Sequence, residues 1–314
     1  MTRACLVCLG DATEGSDYHP HCLRRLFGVT RAPEVDLELA KLHTVAQAMV
    51  GHTSISGTQR KISVKLTADR ATLHVAIEGG EYILKPQTQS FPHLPENEHL
   101  MMRLAEEVGL EVPPFGLVRL KDGSLAYVVR RFDRVGGRKL LVEDFCQLAA
   151  LSPKQKYEGS AELCARLVAR HATEPGIESA RLLRLVAFAW WTGNGDLHLK
   201  NLSILRDVEG RYRLSPAYDL VSTRLIINDD PLALPVGGNR KSVTARQWLA
   251  FAQYCHVPPK AASRMLGELA QKLEEALRLE GRSLLPEGSR VALAKLLRER
   301  AKTFRRAAGM GGHS

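Results

Sequence analysis

The sequence has no long hydrophobic run. Its longest uncharged apolar stretch, around residues 185–191, is far too short to cross a bilayer, which needs about 20 apolar residues in a helix. No membrane partner is expected. The start, MTRACLVCLGDATEGSD, turns polar at once and shows no cleavable leader pattern, so a cytoplasmic protein is expected. There is no internal repeat and no long low-complexity tract, which excludes a repeat array. Cysteine is sparse: Cys5, Cys8, Cys22, Cys146, Cys164 and Cys255 are the six in 314 residues. Without a leader, they do not suggest a disulfide scaffold. Acidic residues number 34 against 44 Lys and Arg, leaving a formal net charge of +10. That balance favours a polyanionic partner, whether nucleotide, nucleic acid or acidic protein, without choosing among them.

What is present falls into three stretches. Residues 1–30 read as a small Cys/His-containing module. Residues 31–133 begin with ELAKLHTVAQAMV (38–50), whose apolar spacing predicts a helix. The small-residue loop TSISGTQRK (53–61) follows. KISVKLT (61–67) and TLHVAIE (72–78) then alternate as half-buried strands do, and Gly79-Gly80 turns the chain into a third strand, EYILKP (81–86), which ends in Lys85-Pro86. ENEHLMMRLAEEVG (96–109) predicts a helix stopped by Gly109, and FGLVRL with SLAYVVRRF predicts a hairpin across Lys121-Asp122-Gly123. Residues 134–314 are dominated by helical periods: VEDFCQLAAL (142–151), SAELCARLVARHA (160–172) and ESARLLRLVAFAWWTG (178–193), with YRLSPAYDLVST (212–223) as a short strand-like interruption. The fold class expected is α+β and two-lobed, protein-kinase-like, with a β-rich N-terminal lobe and an all-helical C-terminal lobe.

The chemistry concentrates in TGNGDLHLKNLSIL (192–205). Phosphoryl transfer needs a carboxylate to orient or accept the proton of an attacking hydroxyl, and oxygen ligands for magnesium. Asp196 followed five positions later by Asn201 serves both needs from one loop. Asp219, in PAYDLVST (216–223), offers a second metal carboxylate. Lys85 ends the strand YILK, where a lysine reaches the phosphates of a nucleotide, and Glu98 or Glu96 on the next helix could hold it. The loop at 53–61 contains one glycine, Gly57, and is not a standard glycine-rich loop. Its backbone N–H groups and the hydroxyls of Ser54, Ser56 and Thr58 suit an anion. Singly, each feature is common; their order along the chain is what points to a kinase.

At these residues the sequence resembles the HipA family of bacterial serine/threonine kinases, the toxins of HipA/HipB-type modules. The segments that carry the likeness are TSISGTQRKISVKL, YILKPQTQSFPHLPENEHLMMRLAEEVGLEVP, RRFDR, GNGDLHLKNLSI, PAYDLVST and LALPVGGNRKSVTARQW. The resemblance implies Asp196 as catalytic base and His198 and Lys200 as support for the catalytic loop or the γ-phosphate. It implies Asn201 and Asp219 as magnesium ligands and Lys85 as the ATP-phosphate lysine. Ser54, Ile55, Ser56 and Gly57 would form the phosphate loop, and Arg130, Arg131 and Phe132 the adenine edge. Arg130 departs from the acidic residue common in the long form. The extra N-terminal subdomain of that form is also missing, so a separate small protein would supply it. The family further implies autophosphorylation at Ser54 or Ser56, a helix-turn-helix antitoxin that mediates any DNA contact, and a protein substrate such as an aminoacyl-tRNA synthetase. A phosphate on the loop adds about −1.5 to −2 charge and would repel those of ATP. The alternatives are a small-molecule kinase of the aminoglycoside or choline type and a non-catalytic co-repressor.

The first stretch carries its own pattern. Cys5-x-x-Cys8 followed by His19-x-x-Cys22 offers three sulfurs and one imidazole, a set that suits tetrahedral zinc. The same residues equally fit a small reduced-thiol module packed on the β-rich lobe, and His21 is a further imidazole beside them.

Overall fold

The structure is a computed structural model that describes residues 4–12, 14–35, 37–39, 53–54 and 59–310, with backbone only at 53–54 and 59–60. Residues 40–50 of the helix expected at 38–50, and the loop residues Ile55, Ser56, Gly57 and Thr58, lie outside the described residues. The fold is α+β, with a β-rich N-terminal part and a largely helical C-terminal part. No helix among the described residues is long and apolar enough to cross a membrane. The chain divides into two compact units. One comprises Met1–Arg103, Pro113–Gly137 and Gly281–Pro286; the other comprises Leu104–Val112, Arg138–Glu280 and Glu287–Ser314.

The first unit is built on a six-stranded sheet of order β1-β5-β4-β6-β8-β7. Its strands are β1 (Glu34–Val35), β4 (Ile62–Leu66), β5 (Thr72–Val75), β6 (Tyr82–Pro86), β7 (Phe115–Arg119) and β8 (Leu125–Arg130). A separate ribbon pairs β2 (Thr53–Ser54) with β3 (Gln59–Arg60). The alternation read in the sequence is realised in β4, where Ile62, Val64 and Leu66 are buried and Ser63 and Lys65 less so. The predicted hairpin is present, with Phe115 opposite Val129 and Arg119 opposite Leu125. The second strand stops earlier than its pattern, at Val75, because Ile77 is left almost wholly exposed (91%) before the glycine turn.

Helix α1 (Pro20–Phe27) and the turn before it pack onto this sheet. Tyr18 donates its hydroxyl to the Leu117 carbonyl at 3.0 Å, and the Leu117 N–H donates to the Leu6 carbonyl at 2.8 Å. Helix α2 (Leu94–Glu107) has an unusual first half: Glu96, Asn97, Glu98 and His99 are consecutive, polar and buried. Such groups are retained only when they are paired. The His99 ring donates through Nε2 to the Val7 carbonyl at 3.0 Å, and burial lowers its pKa to about 4.

That depression predicts a pH dependence. The unfolded chain binds a proton on this imidazole below pH ~6.5, whereas the folded chain resists it down to about pH 4, so stability falls as pH drops through that window. The expected loss is about 3 kcal/mol. Urea titrations of the wild type and a His99→Gln variant at pH 7 and pH 4 check it. The variant should be the less pH-sensitive of the two, and identical slopes would refute the assignment.

The second unit corrects one expectation. It is not all helical: β9 (Val142–Asp144), β10 (Ser203–Arg206) and β11 (Tyr212–Leu214) form an antiparallel sheet. The helical period at 142–151 misled because only Phe145–Leu148, here α3, is helical. Asp144 starts this turn with a capping box to Gln147, and Ala150 ends it in the left-handed region at φ +54°. The remaining helices are α4 (Ala161–His171), α5 (Pro175–Thr192), α6 (Ala245–Tyr254), α7 (Pro259–Gln271), α8 (Leu273–Gly281) and α9 (Glu287–Ala307). The apolar run at 185–191 is the end of α5, which is buried on all sides. Trp190 stacks edge-on to Trp248 and Phe304 at 5.6 and 5.4 Å, and Trp191 donates its indole N–H to the Leu297 carbonyl at 3.0 Å. This aromatic core fixes the point at which the chain leaves α5.

Candidate active site

The exit from α5 requires glycine. Gly193 caps the helix at φ +74°, and a Cβ there would lie 2.8 Å from Leu296 Cδ2. Gly195 is more constrained: a Cβ would fall 1.9 Å from Asp230 Oδ2 and 2.5 Å from the Pro231 carbonyl. The Gly195 N–H donates to Thr223 Oγ1 at 2.7 Å, and the Thr223 hydroxyl in turn donates to Asp230. Asn194 Oδ1 accepts from the Asp196 N–H at 2.9 Å, an Asx-turn that aims the next side chain. The order of residues in TGNGD thus follows from packing.

Asp196 is buried, with 6% of its surface exposed. Its Oδ1 accepts the Tyr157 hydroxyl at 2.6 Å. Asn201 donates its Nδ2 to the Asp196 carbonyl at 2.8 Å, a bond that does not use its amide oxygen. His198 is buried with its Nε2 3.8 Å from Asp196 Oδ1, and its ring meets that of Tyr157 edge-on at 5.1 Å. Lys200 is half-exposed and donates to Asp144 at 2.8 Å.

Asp219 follows Tyr218, whose hydroxyl reaches Ser203 Oγ at 2.7 Å and the Lys200 carbonyl at 3.1 Å. Tyr218 therefore ties the Asp219 segment to the residues flanking Asn201. Asp219 itself sits at φ +59°, a left-handed conformation that costs a non-glycine residue about 1–2 kcal/mol. Strain of this kind persists where surrounding structure enforces it, commonly at functional sites. An amide oxygen and a carboxylate are the donor set that magnesium prefers, so Asn201 and Asp219 fit that ion chemically.

Two participants have no signature in the sequence. Tyr157 lies 39 residues before Asp196, in KQKYEGS, a stretch with no catalytic pattern. It is brought in by the Leu199 N–H, which donates to the Lys156 carbonyl, and by Arg240, which reaches the Tyr157 carbonyl at 3.4 Å. Asp144 reads as a helix cap and is one, but it also holds Lys200.

In the first unit, Lys85 and Glu98 form an ion pair at 2.5 Å, with 3% and 1% of their side chains exposed. Lys85 also lies over the Tyr127 ring, 5.5 Å from its centroid. Of the two acids considered, Glu98 takes the lysine, while Glu96 accepts both of its bonds from Gln87. Ribbon strand β3 lies against β6, the strand that carries Lys85, so the Ser54 backbone in β2 is one strand removed from it. Arg130 is exposed. Arg131 makes a two-pronged bond to Asp133 at 2.9 and 2.8 Å. Burial would raise the Asp133 carboxyl, but Arg131 and Arg134 outweigh it and hold the pKa below the usual range. Phe132 is half-buried beside them. Cys5, Cys8, His19 and Cys22 come together, their ligand atoms all within 4.8 Å of one another.

Residues 53–277 match the family described as the HipA-like C-terminal domain, and the chain belongs to that family. Among its relatives is the putative kinase Y4mE of Sinorhizobium fredii, 34% identical over 239 residues, covering 71% of this chain and 56% of that protein. A putative kinase of Haemophilus influenzae is 30% identical over 220 residues, covering 65% and 63%. The serine/threonine-protein kinase toxin HipA of Shewanella oneidensis is 26% identical over 247 residues, covering 71% and 56%. The chain thus spans little more than half the length of the curated relatives it matches. The fold is similar to that of HipA in the Shewanella oneidensis complex of HipA, HipB and operator DNA. The TM-score is 0.67 at 21% identity, over 95% of this chain and 80% of that one. It is also similar to the Helicobacter pylori proinflammatory kinase CtkA, with a TM-score of 0.54 at 14% identity, over 79% and 95%.

Proposed function

We propose that this chain is an ATP-dependent serine/threonine protein kinase and the toxin of a toxin–antitoxin pair. The observation that carries the reading is the buried Asp196 carboxylate, which accepts a hydroxyl at 2.6 Å in a loop where Asn201 is tied to the Asp196 carbonyl. A carboxylate held this way is positioned to take the proton of an acceptor hydroxyl. Lys85, paired with Glu98, binds the nucleotide phosphates. Magnesium, when bound, neutralises charge on those phosphates, and Asn201 and Asp219 are the residues to hold it. His198 and Lys200 brace the loop, the latter through Asp144. Arg130, Arg131 and Phe132 flank the adenine, the Arg131–Asp133 fork fixing that segment's shape.

A helix-turn-helix antitoxin is the natural partner, with DNA contacted through it, since the Shewanella structure contains HipA with HipB and operator DNA. A small separate protein that stands in for the long form's N-terminal subdomain is a second partner. The acceptor is a component of translation, an aminoacyl-tRNA synthetase being the family's implied class, and the place of action is the cytoplasm. Autophosphorylation falls on Ser54 or Ser56. The test offers labelled ATP with magnesium to the purified chain alongside synthetases, aminoglycosides and choline. Label on protein supports the reading; label on a small molecule alone, or none at all, overturns it. Mass spectrometry of the loop then decides which serine is modified.

Tyr157 sharpens the proposal. Its hydroxyl orients the Asp196 carboxylate, and a hydrogen bond to a charged group contributes about 1.5–3 kcal/mol. Tyr157→Phe keeps the ring against His198 and removes the hydroxyl bond to Asp196. Turnover at saturating ATP should fall by roughly tenfold or more with KM for ATP unchanged. Unaltered turnover would reduce Tyr157 to a packing residue.

A further inference from the structure

The N-terminal turn is built as a metal clasp. The backbone from 5 to 10 closes on itself: the Cys5 N–H donates to the Gly10 carbonyl at 2.7 Å and the Leu9 N–H to the Cys5 carbonyl at 2.9 Å. Leu9 takes a left-handed φ of +63° to make this possible, and Ala4 pairs with Asp11 across the base. Two thiols, Cys5 and Cys8, are thereby presented on one side, and the Gly10 N–H points at Cys8 Sγ, 3.4 Å away. Cys22 arrives from the first turn of α1 and His19 from its N-cap.

The distances fit a tetrahedral ion. Zinc bonds of about 2.3 Å to sulfur and about 2.0 Å to nitrogen place tetrahedral S and N ligands about 3.6 Å apart. His19 Nδ1 lies 3.3 Å from Cys8 Sγ and 3.8 Å from Cys22 Sγ, and all four ligand atoms fall within 4.8 Å of one another. The imidazole is also oriented correctly. Its Nε2 is 2.7 Å from the Asp11 carbonyl, which can only accept, so the proton resides on Nε2 and the Nδ1 lone pair faces the sulfurs. This outer hydrogen bond is the usual partner of a metal-bound histidine. A simple thiol cluster has no need of it.

We propose that Cys5, Cys8, His19 and Cys22 bind one zinc ion through three thiolates and His19 Nδ1, in a closed structural site. All four positions are filled by protein, so no water or substrate reaches the ion and no catalysis is expected there. Binding releases the thiol protons to solvent. The ion fastens a turn whose other bonds run outward. Within it, the Leu6 carbonyl accepts from Leu117 on β7, and the Val7 carbonyl accepts from His99 on α2. Gly116 on β7 comes so close that a Cβ would lie 2.9 Å from Leu26 and 3.0 Å from Val7. The zinc thus anchors the N-terminal segment to the sheet and helix of the first unit.

The test measures metal in the full chain, purified under reducing conditions without chelator or metal-affinity resin. About one zinc per chain is expected. Cobalt exchanged into the site should give the intense visible bands and sulfur charge-transfer absorption of a tetrahedral thiolate centre. Cys8, which is only half-buried, is the ligand to alter. Cys8→Ser should drop the zinc content below roughly a tenth of wild type after mild chelation. His21, exposed, stacked on His19 at 5.1 Å and with its Nε2 3.3 Å from Cys22 Sγ, is the competing imidazole and therefore the control. His21→Gln should retain the ion. The proposal fails if the wild type carries no stoichiometric zinc, if the cobalt spectrum is that of an octahedral oxygen-ligated ion, or if His21→Gln loses metal as Cys8→Ser does. Because wild-type content and the cobalt spectrum need no variant, misfolding of a mutant leaves the question decidable.

Discussion

Asp196→Asn is expected to lower phosphoryl transfer by roughly 10²–10⁴-fold, the range for removal of a general base. The substitution is nearly isosteric. The amide oxygen can still accept the Tyr157 hydroxyl, and the backbone bonds from Asn194 and Asn201 do not involve the Asp196 side chain. The loop should therefore keep its shape, and thermal stability should stay close to wild type. ATP affinity should also be retained, because the change removes a proton acceptor without touching Lys85. Single-turnover kinetics at saturating ATP, with nucleotide binding measured separately, check the split. In cells, induction of the wild type should arrest growth and induction of the variant should not. Turnover within tenfold of wild type, or toxicity in both, would remove Asp196 from the centre of the mechanism.

The second large effect concerns the Lys85–Glu98 pair. Both side chains are almost completely withdrawn from water, so neither charge is solvated if the other disappears. Lys85→Met should cost about 3–5 kcal/mol, chiefly because Glu98 is left charged in a nearly dry environment. Glu98→Leu should cost a similar amount by stranding the lysine. The double variant tests the cause: replacing a buried pair with apolar residues of similar size is often neutral. Lys85→Met/Glu98→Leu should therefore recover most of the lost stability, giving a coupling energy of several kcal/mol in a double-mutant cycle. Activity should not recover, since the lysine proposed to meet the phosphates is gone. Urea midpoints and phosphate transfer are the two readouts. A stable Lys85→Met protein, or an active double variant, would contradict the account.

Much of this was legible in the sequence where the signal was local. Alternation drew β4, because a half-buried strand imposes a period of two on its own residues, and the turn at Lys121-Asp122-Gly123 drew the hairpin of β7 and β8. The dense run at the end of α5 marked a buried helix. The Asp196–Asn201 loop stood out through its residue types together with their order along the chain. What escaped depends on distant segments. Helical spacing over residues 142–151 hid a strand, since only pairing with residues 203–205 makes Val142–Asp144 extended. Tyr157 could not be found by pattern, because its role exists only once Arg240 and Leu199 draw its loop to Asp196. The pairing of Lys85 with Glu98 and not Glu96 was open in the sequence. It was settled by Gln87, which occupies Glu96.

Helix α2 presents Glu98 and His99 as consecutive residues, and successive side chains on a helix point about 100° apart. One grips the lysine strand and the other grips the N-terminal turn. A twist of α2 about its long axis would pull on both contacts at once. The Lys85 counter-ion and the brace of the N-terminal turn are thus neighbours on a single helical turn, so a substitution that re-seats this part of α2 is expected to disturb both together.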